Sequence, residues 1–204
     1  MPPVSEAAIR QSQAQLGLEL SPQCVSNILK IKDFLKFYGR AMNLTGSVPL
    51  DDQIDEALHA VALAQRLQLT GRWLDVGSGG GFPGLILAAC LELDFVFVEP
   101  RAKRASNLEL ALAKIGRRDV SVLRGRVDEG RWLPIEGPPL QAPFDVASAR
   151  AVFSAERWLR EARPWLRPGG LACLHLRARD PVPDGATIAA RVDGPRWSIV
   201  GVSA

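Results

Sequence analysis

A single carboxylate followed by closely spaced glycines, Leu74-Asp75-Val76-Gly77-Ser78-Gly79-Gly80-Gly81-Phe82-Pro83-Gly84, is the part of this chain best suited to chemistry. The apolar run Arg72 to Val76 enters it as a strand, and Pro83 sits where a helix begins. Glycine lets a backbone turn sharply and approach a ligand closely, and a helix start offers free N–H groups. The segment therefore predicts a ligand with nucleotide character, held at the carboxyl edge of a parallel sheet.

Two ligands fit two frames of this segment. Gly79-x-Gly81-x-x-Gly84 satisfies the dinucleotide fingerprint, whereas Asp75-x-Gly77-x-Gly79-x-Gly81 is the acidic-first pattern of methyltransferases. A carboxylate at the strand end repels a pyrophosphate and suits the cationic methionine end of S-adenosylmethionine. Glu99, 22 residues after Gly77 and closing the next apolar run, can accept both ribose hydroxyls of either cofactor. A phosphate-cradling loop is excluded because no Gly-Lys-Ser/Thr follows.

The elements that must position these residues follow from periodicity. Residues 1–70 read as a helical extension: Val25, Ile28, Ile31, Phe34, Leu35 and Tyr38 mark one helix face begun at Ser21-Pro22. Asn43-Leu44-Thr45-Gly46 is turn-like, and Asp51-Asp52 can cap a second helix carrying Ile54, Leu58, Val61 and Leu67. Residues 71–204 alternate instead. Strands are expected at 72–76, 94–98, 120–124, 144–148 and 170–176, with a weaker one at 196–200, and helices at 83–91, 102–115 and 154–163. That alternation implies an α/β, Rossmann-like, mostly parallel doubly wound sheet covered on both faces. Trp132 to Pro143 is expected to be a long loop.

Composition sets broader bounds. The 204 residues suffice for one domain with a small appendage, and 47% hydrophobic with 23% charged residues is an ordinary globular balance. A net charge of +3 is too mild to prove a nucleic-acid partner. Cys24, Cys90 and Cys173 stand singly, which suggests buried thiols with neither zinc nor disulfide framework. No metal site is expected. Met1 to Gln15 lacks an apolar signal region, and Leu85 to Leu91 is too short to span a membrane, so a cytoplasmic protein without membrane association is expected.

Residues Asn43 to about Arg177 resemble the bacterial small-subunit rRNA guanine-N7 methyltransferases, the glucose-inhibited division protein B family. The resemblance rests on Asn43-Leu44-Thr45, the glycine segment through Phe82-Pro83-Gly84, Lys103-Arg104 after Glu99, Arg126-Val127-Asp128 and Ala149-Arg150-Ala151. It implies a class I methyltransferase domain with an N-terminal helical extension, S-adenosylmethionine as cofactor, and a guanine N7 in the 530 loop of 16S rRNA as target. The small ribosomal subunit would be its partner, and a monomer is expected. The resemblance puts cofactor contacts at Gly77, Phe82, Val127, Asp128 and Arg150, beside Asp75, Gly79 and Glu99. Where the family has Arg-His-x-x-Asp-Ser, this chain reads Leu58-His59-Ala60-Val61-Ala62-Leu63; its Lys-Gly is Arg177-Ala178, and the serine before Arg150's position is Ala149.

N7 of guanine carries a lone pair and no proton, so its methylation calls for alignment and water exclusion rather than a base. The absence of an evident Cys, His or carboxylate dyad agrees with this, and no catalytic residue is assigned. Ser148-Ala149-Arg150-Ala151 stands where an exocyclic-amine methyltransferase would carry Asp/Asn-Pro-Pro-aromatic. Arg101, Lys103 and Arg104 open a helix where cations oppose the dipole, which points to an anionic ligand such as RNA phosphate. Arg117, Arg118, Arg124, Arg126 and Arg131 add charge nearby. Asn43 and His59 complete the candidate substrate contacts. Plainer readings stay open: Arg150 as a surface residue pairing with an acid at the next helix, Phe82 as core, His59 as packing, Asn43 as a turn residue, and the basic run as a solvated face. So do a same-fold methyltransferase acting on a small molecule or protein, and a non-catalytic RNA-binding module.

Overall fold

The computed structural model describes residues 6–42 and 48–203, with the side chains of 39–42 excepted. Three helices come first: α1 (Glu6–Leu16), α2 (Pro22–Met42) and α3 (Leu50–Arg66). Ser21 starts α2 by accepting a hydrogen bond from the Cys24 N–H at 3.1 Å, as Ser-Pro at a helix start predicts. Asp51 and Asp52 lie in the first turn of α3 behind Pro49; they pair with Lys32 and Arg196. Asn43 to Gly46, expected as a turn, lie outside the described residues.

The remaining chain alternates: β1 (Arg72–Val76), α4 (Gly84–Cys90), β2 (Asp94–Val98), α5 (Ala102–Lys114), β3 (Ser121–Asp128), β4 (Arg131–Glu136), β5 (Phe144–Ala149), α6 (Ala155–Ala162), β6 (Leu166–Arg177), β7 (Ile188–Asp193) and β8 (Trp197–Ser203). They form an eight-stranded sheet in the order β4-β3-β2-β1-β5-β6-β8-β7. The five central strands, β3-β2-β1-β5-β6, are parallel; β4, β8 and β7 run antiparallel to their neighbours. Strand order reverses between β1 and β5, which leaves a crevice at their carboxyl ends.

Both sheet faces are covered, unevenly. Trp73, Phe95, Phe97, Val146, Cys173 and Ile199 pack under α1 to α5 in one continuous apolar core. The opposite face, with Leu74, Val96, Phe144 and Val200, is closed by Trp158 of α6 and by Trp165. Burial on both faces explains why the central strands read as unbroken apolar runs.

Three expectations need correction. The stretch from Trp132 is not all loop. Glu129 and Gly130 both have positive φ, 49° and 67°, forming a two-residue turn that folds Arg131–Glu136 back on β3. Pro134 is tolerated because β4 is an edge strand. β7 was not expected either; its outer face is largely exposed and lacks an apolar alternation. Finally, Cys24 and Cys90 are paired in a disulfide joining α2 to α4, with Cα atoms 4.9 Å apart, while Cys173 alone is a free buried thiol. No helix among the described residues is long and apolar enough to cross a membrane.

Candidate active site

At the switch between β1 and β5 the glycine segment forms a tight turn. Gly77, Gly79 and Gly81 have φ of 71°, 55° and 94°, a region that side-chain-bearing residues rarely adopt. A Cβ on Gly77 would stand 2.5 Å from Cγ2 of Val152, which Ala151, itself at φ 58°, brings over the turn. The free helix-start N–H groups expected here are largely engaged. Gly77 and Ser78 donate to the Val98 carbonyl at 2.8 and 3.1 Å, Gly81 to Ser78 at 2.7 Å, and Leu85 to Gly81 at 2.7 Å. The turn thus serves by its shape, admitting a ligand close to backbone.

Glu99 is fixed at the end of β2. Its Oε2 accepts the Gly79 N–H at 2.9 Å and its Oε1 the Arg101 N–H at 2.8 Å. Each oxygen keeps acceptor capacity beyond these single bonds. Asp75 lies elsewhere than expected: it is 1% exposed, beneath the turn, and not on the cleft wall. Its Oδ1 accepts from Ser148 Oγ at 2.8 Å, and Ser148 Oγ in turn accepts from Trp73 Nε1 at 2.9 Å. Burial pushes the Asp75 carboxyl up, against hydrogen bonds from Ser148 and Ser78. Asp75 therefore braces β1 against β5 below the site.

The crevice is a cleft of about 1080 Å³, at the upper end for a ligand site and roomy enough for a nucleoside cofactor and a second ring. Gly77, Gly79, Phe82, Glu99, Val127, Asp128 and Arg150 all line it. Phe82 is also nearly buried, so it serves core and cleft together. Asp128 is bound to Arg157 at 2.6 Å across the end of β3. A carboxylate at the end of β2, an apolar residue at the end of β3 and glycines at the end of β1 fit ribose, adenine and a methionine tail respectively.

Of the expected substrate contacts, Arg101 and Arg104 line the cleft, while Lys103 is exposed outside it. His59 is corrected. It is buried, its Nδ1 sits 2.8 Å from the Asp55 carbonyl, and it packs against Gly194 between β7 and β8, off the cleft. Asn43 lies outside the described residues. Among the other arginines, Arg126 lines the cleft. Arg117 instead ties the end of α4, donating to the carbonyls of Ala88, Leu91 and Leu93. Arg124 is paired with Glu136 across the β3–β4 hairpin.

Sequence reading passed over a charged cluster. Arg150 Nε donates to Glu56 Oε2 at 2.8 Å, and His175 Nδ1 lies 3.2 Å from Glu56 Oε1. The Arg150 partner is thus an acid of α3, not of the next helix, α6. Burial would raise Glu56, but His175 and then Arg150 hold it below its ordinary 4.5. Burial likewise opposes a charged His175, yet the Cys173 sulfur and Glu56 lift its pKa to about 9. Gln53 and Glu56, three apart on α3, face the cleft together; that pair of polar residues on a buried helix face was the available signal.

The chain has relatives among known proteins. Residues 26–183 match the family model described as rRNA small subunit methyltransferase G. The chain is 31% identical over 160 residues to Ribosomal RNA small subunit methyltransferase G of Acinetobacter baumannii, covering 78% of this chain and 73% of that one. It is 29% identical to the protein of the same name from Acidovorax ebreus, over 92% and 84% of the two chains. The solved O-methyltransferase from Bacillus cereus in complex with SAH has the same fold, with TM-score 0.58, 14% identity and 97% of each chain covered.

Proposed function

Because the chain belongs to the rRNA small subunit methyltransferase G family, we propose that it transfers a methyl group from S-adenosylmethionine to N7 of a guanine in the 530 loop of 16S rRNA. The observation that carries this reading is the intact glycine turn and Glu99 at the switch point of a doubly wound sheet. When bound, the cofactor supplies an electrophilic methyl group on a sulfonium. The chain's residues orient and enclose. Gly77 admits the ligand against backbone, Glu99 offers acceptors to ribose hydroxyls, and Val127 and Phe82 supply apolar walls. No residue needs to take a proton, since N7 attacks with a free lone pair. This suits a cleft whose acids are Glu99, bonded to backbone, Glu56 and Asp128, bonded to cations, and the outlying Asp180. Arg101, Arg104 and Arg126 at the cleft are placed for the phosphates of the small subunit. We place this activity in the cytoplasm and assign it to a monomer.

The test has two arms. Calorimetric titration with S-adenosylmethionine should show binding that Gly77→Asp abolishes, because the new side chain strikes Val152. Labelled cofactor incubated with 30S subunits lacking the modification should label 16S rRNA, and borohydride–aniline cleavage should map it to N7 of a 530-loop guanine. Label on protein, or a rRNA product resistant to that cleavage, rejects the assignment of the acceptor.

A further inference from the structure

Glycines, Glu99 and Val127 occupy the cleft over β1, β2 and β3, which leaves the wall over β5, β6 and β8 for the acceptor. Three side chains from three elements meet there: the buried Glu56 of α3 and His175 of β6, and the half-buried Arg150 at the end of β5. Glu56 is ionised between the two cations, so His175 Nδ1 carries a proton and donates to it. The opposite ring nitrogen, Nε2, is buried with no hydrogen-bond partner among the described residues, although His175 lines the cleft. Trp197 repeats the pattern: it lines the cleft and its Nε1 is buried without a hydrogen-bond partner among the described residues. The register sets His175 opposite Ile199 and Arg177 opposite Trp197, so His175 and Trp197 are diagonal neighbours on one sheet face.

Buried donors without partners are uncommon; of the five such nitrogens among the described residues, on Arg124, Trp132, Trp165, His175 and Trp197, only the last two belong to residues that line the cleft, which points to an acceptor there. An indole N–H can only donate. With a pKa of about 9, His175 also presents a proton on Nε2. The major-groove edge of guanine offers an acceptor, O6, beside N7, whereas adenine puts an amino donor there.

Resting on the reading of guanine N7 as acceptor, we infer that His175 Nε2 and Trp197 Nε1 donate to O6 of the target guanine, fixing the base so that N7 faces the methyl donor. The N7 lone pair forms the new N–C bond while the methyl–sulfur bond breaks and its electron pair stays on sulfur. No proton moves, and the positive charge passes to the purine ring. Glu56, behind His175, supplies a negative charge that offsets the cations around that ring. Adenine is rejected because its amino group would meet two donors.

The test uses 30S subunits reconstituted from 16S rRNA carrying guanosine, inosine or 2-aminopurine at the target position. Inosine keeps O6 and N7, whereas 2-aminopurine keeps N7 and lacks O6. The native enzyme should methylate guanosine and inosine at similar rates and 2-aminopurine roughly 10- to 100-fold more slowly, the worth of hydrogen bonds from a charged donor. His175→Leu should slow guanosine and inosine by that factor and 2-aminopurine far less, so that the three rates converge, without loss of calorimetric affinity for S-adenosylmethionine. Trp197→Phe removes one N–H from a ring of similar shape and should show the same convergence with a smaller factor. It carries the test if His175→Leu fails to bind cofactor. Equal slowing of all three bases, or no slowing in either variant, overturns the inference. Failure of the native enzyme to label rRNA at all is a separate result, which removes the guanine-N7 reading and the inference with it.

Discussion

Glu56 holds two cations on one carboxylate that is almost wholly buried, and its pair with His175 spans 119 residues of sequence. His175 titrates at about 9, above the ordinary 6.5, so the pair's contribution is complete below pH 6.5 and is lost as pH rises through about 9. Glu56 is shifted the other way, so the same pair is also lost in acid as pH falls through a value below 4.5. The urea midpoint of the native protein should therefore fall between neutral pH and pH values above 9. Glu56→Gln should lower the neutral-pH midpoint and flatten that fall; a native midpoint independent of alkaline pH would contradict the ion pair. Little of this was legible beforehand. Gly77, Glu99 and Arg150 are legible because they sit at fixed offsets from strands. Glu56 and His175 become a unit only when α3 crosses β6, and nothing local to either residue announces the other.

At the scale of elements, β1 and β5 are joined below the cleft by Trp73, Ser148 and Asp75 in one hydrogen-bonded line. Ser148→Ala would leave the Trp73 N–H and Asp75 Oδ1 buried without partners. It should destabilise the protein by about 1–3 kcal/mol in urea unfolding, more if both groups stay dry, while cofactor affinity changes little because Asp75 is off the cleft wall. A loss of affinity without loss of stability would instead place Asp75 in direct ligand contact. The central strands were legible because burial on both faces makes their sequences continuous and apolar. β4 was not: its register is set by the turn at Glu129-Gly130, while Pro134 and the exposed alternation disguise it. The Cys24–Cys90 pair was illegible for a different reason, since its partners lie on separate helices that approach only in the folded chain.

For the whole molecule, net charge of +3 says little, but its placement says more. Arg101, Arg104, Arg126, Arg150 and Arg177 line the cleft, whereas Arg117 and Arg124 are spent on the fold. Arg101→Glu with Arg126→Glu should raise KM for 30S subunits, flatten its salt dependence by a log–log slope of about 1 per residue, and spare cofactor affinity. An unchanged salt slope would remove these residues from the RNA path. The topology has a temporal consequence. Helix α3 leaves the ribosome early, yet its face is completed by β7 and β8 at the far end of the chain, where Gly194 meets His59 and Gly201 meets Leu63 and Leu67. Domains begin to fold during synthesis from the N-terminal side, and non-local pairings form late. The glycine turn sits on β1 in the middle of the sheet, whereas the cleft wall carrying Trp197 belongs to β8, so one cleft is closed by segments more than 100 residues apart in sequence.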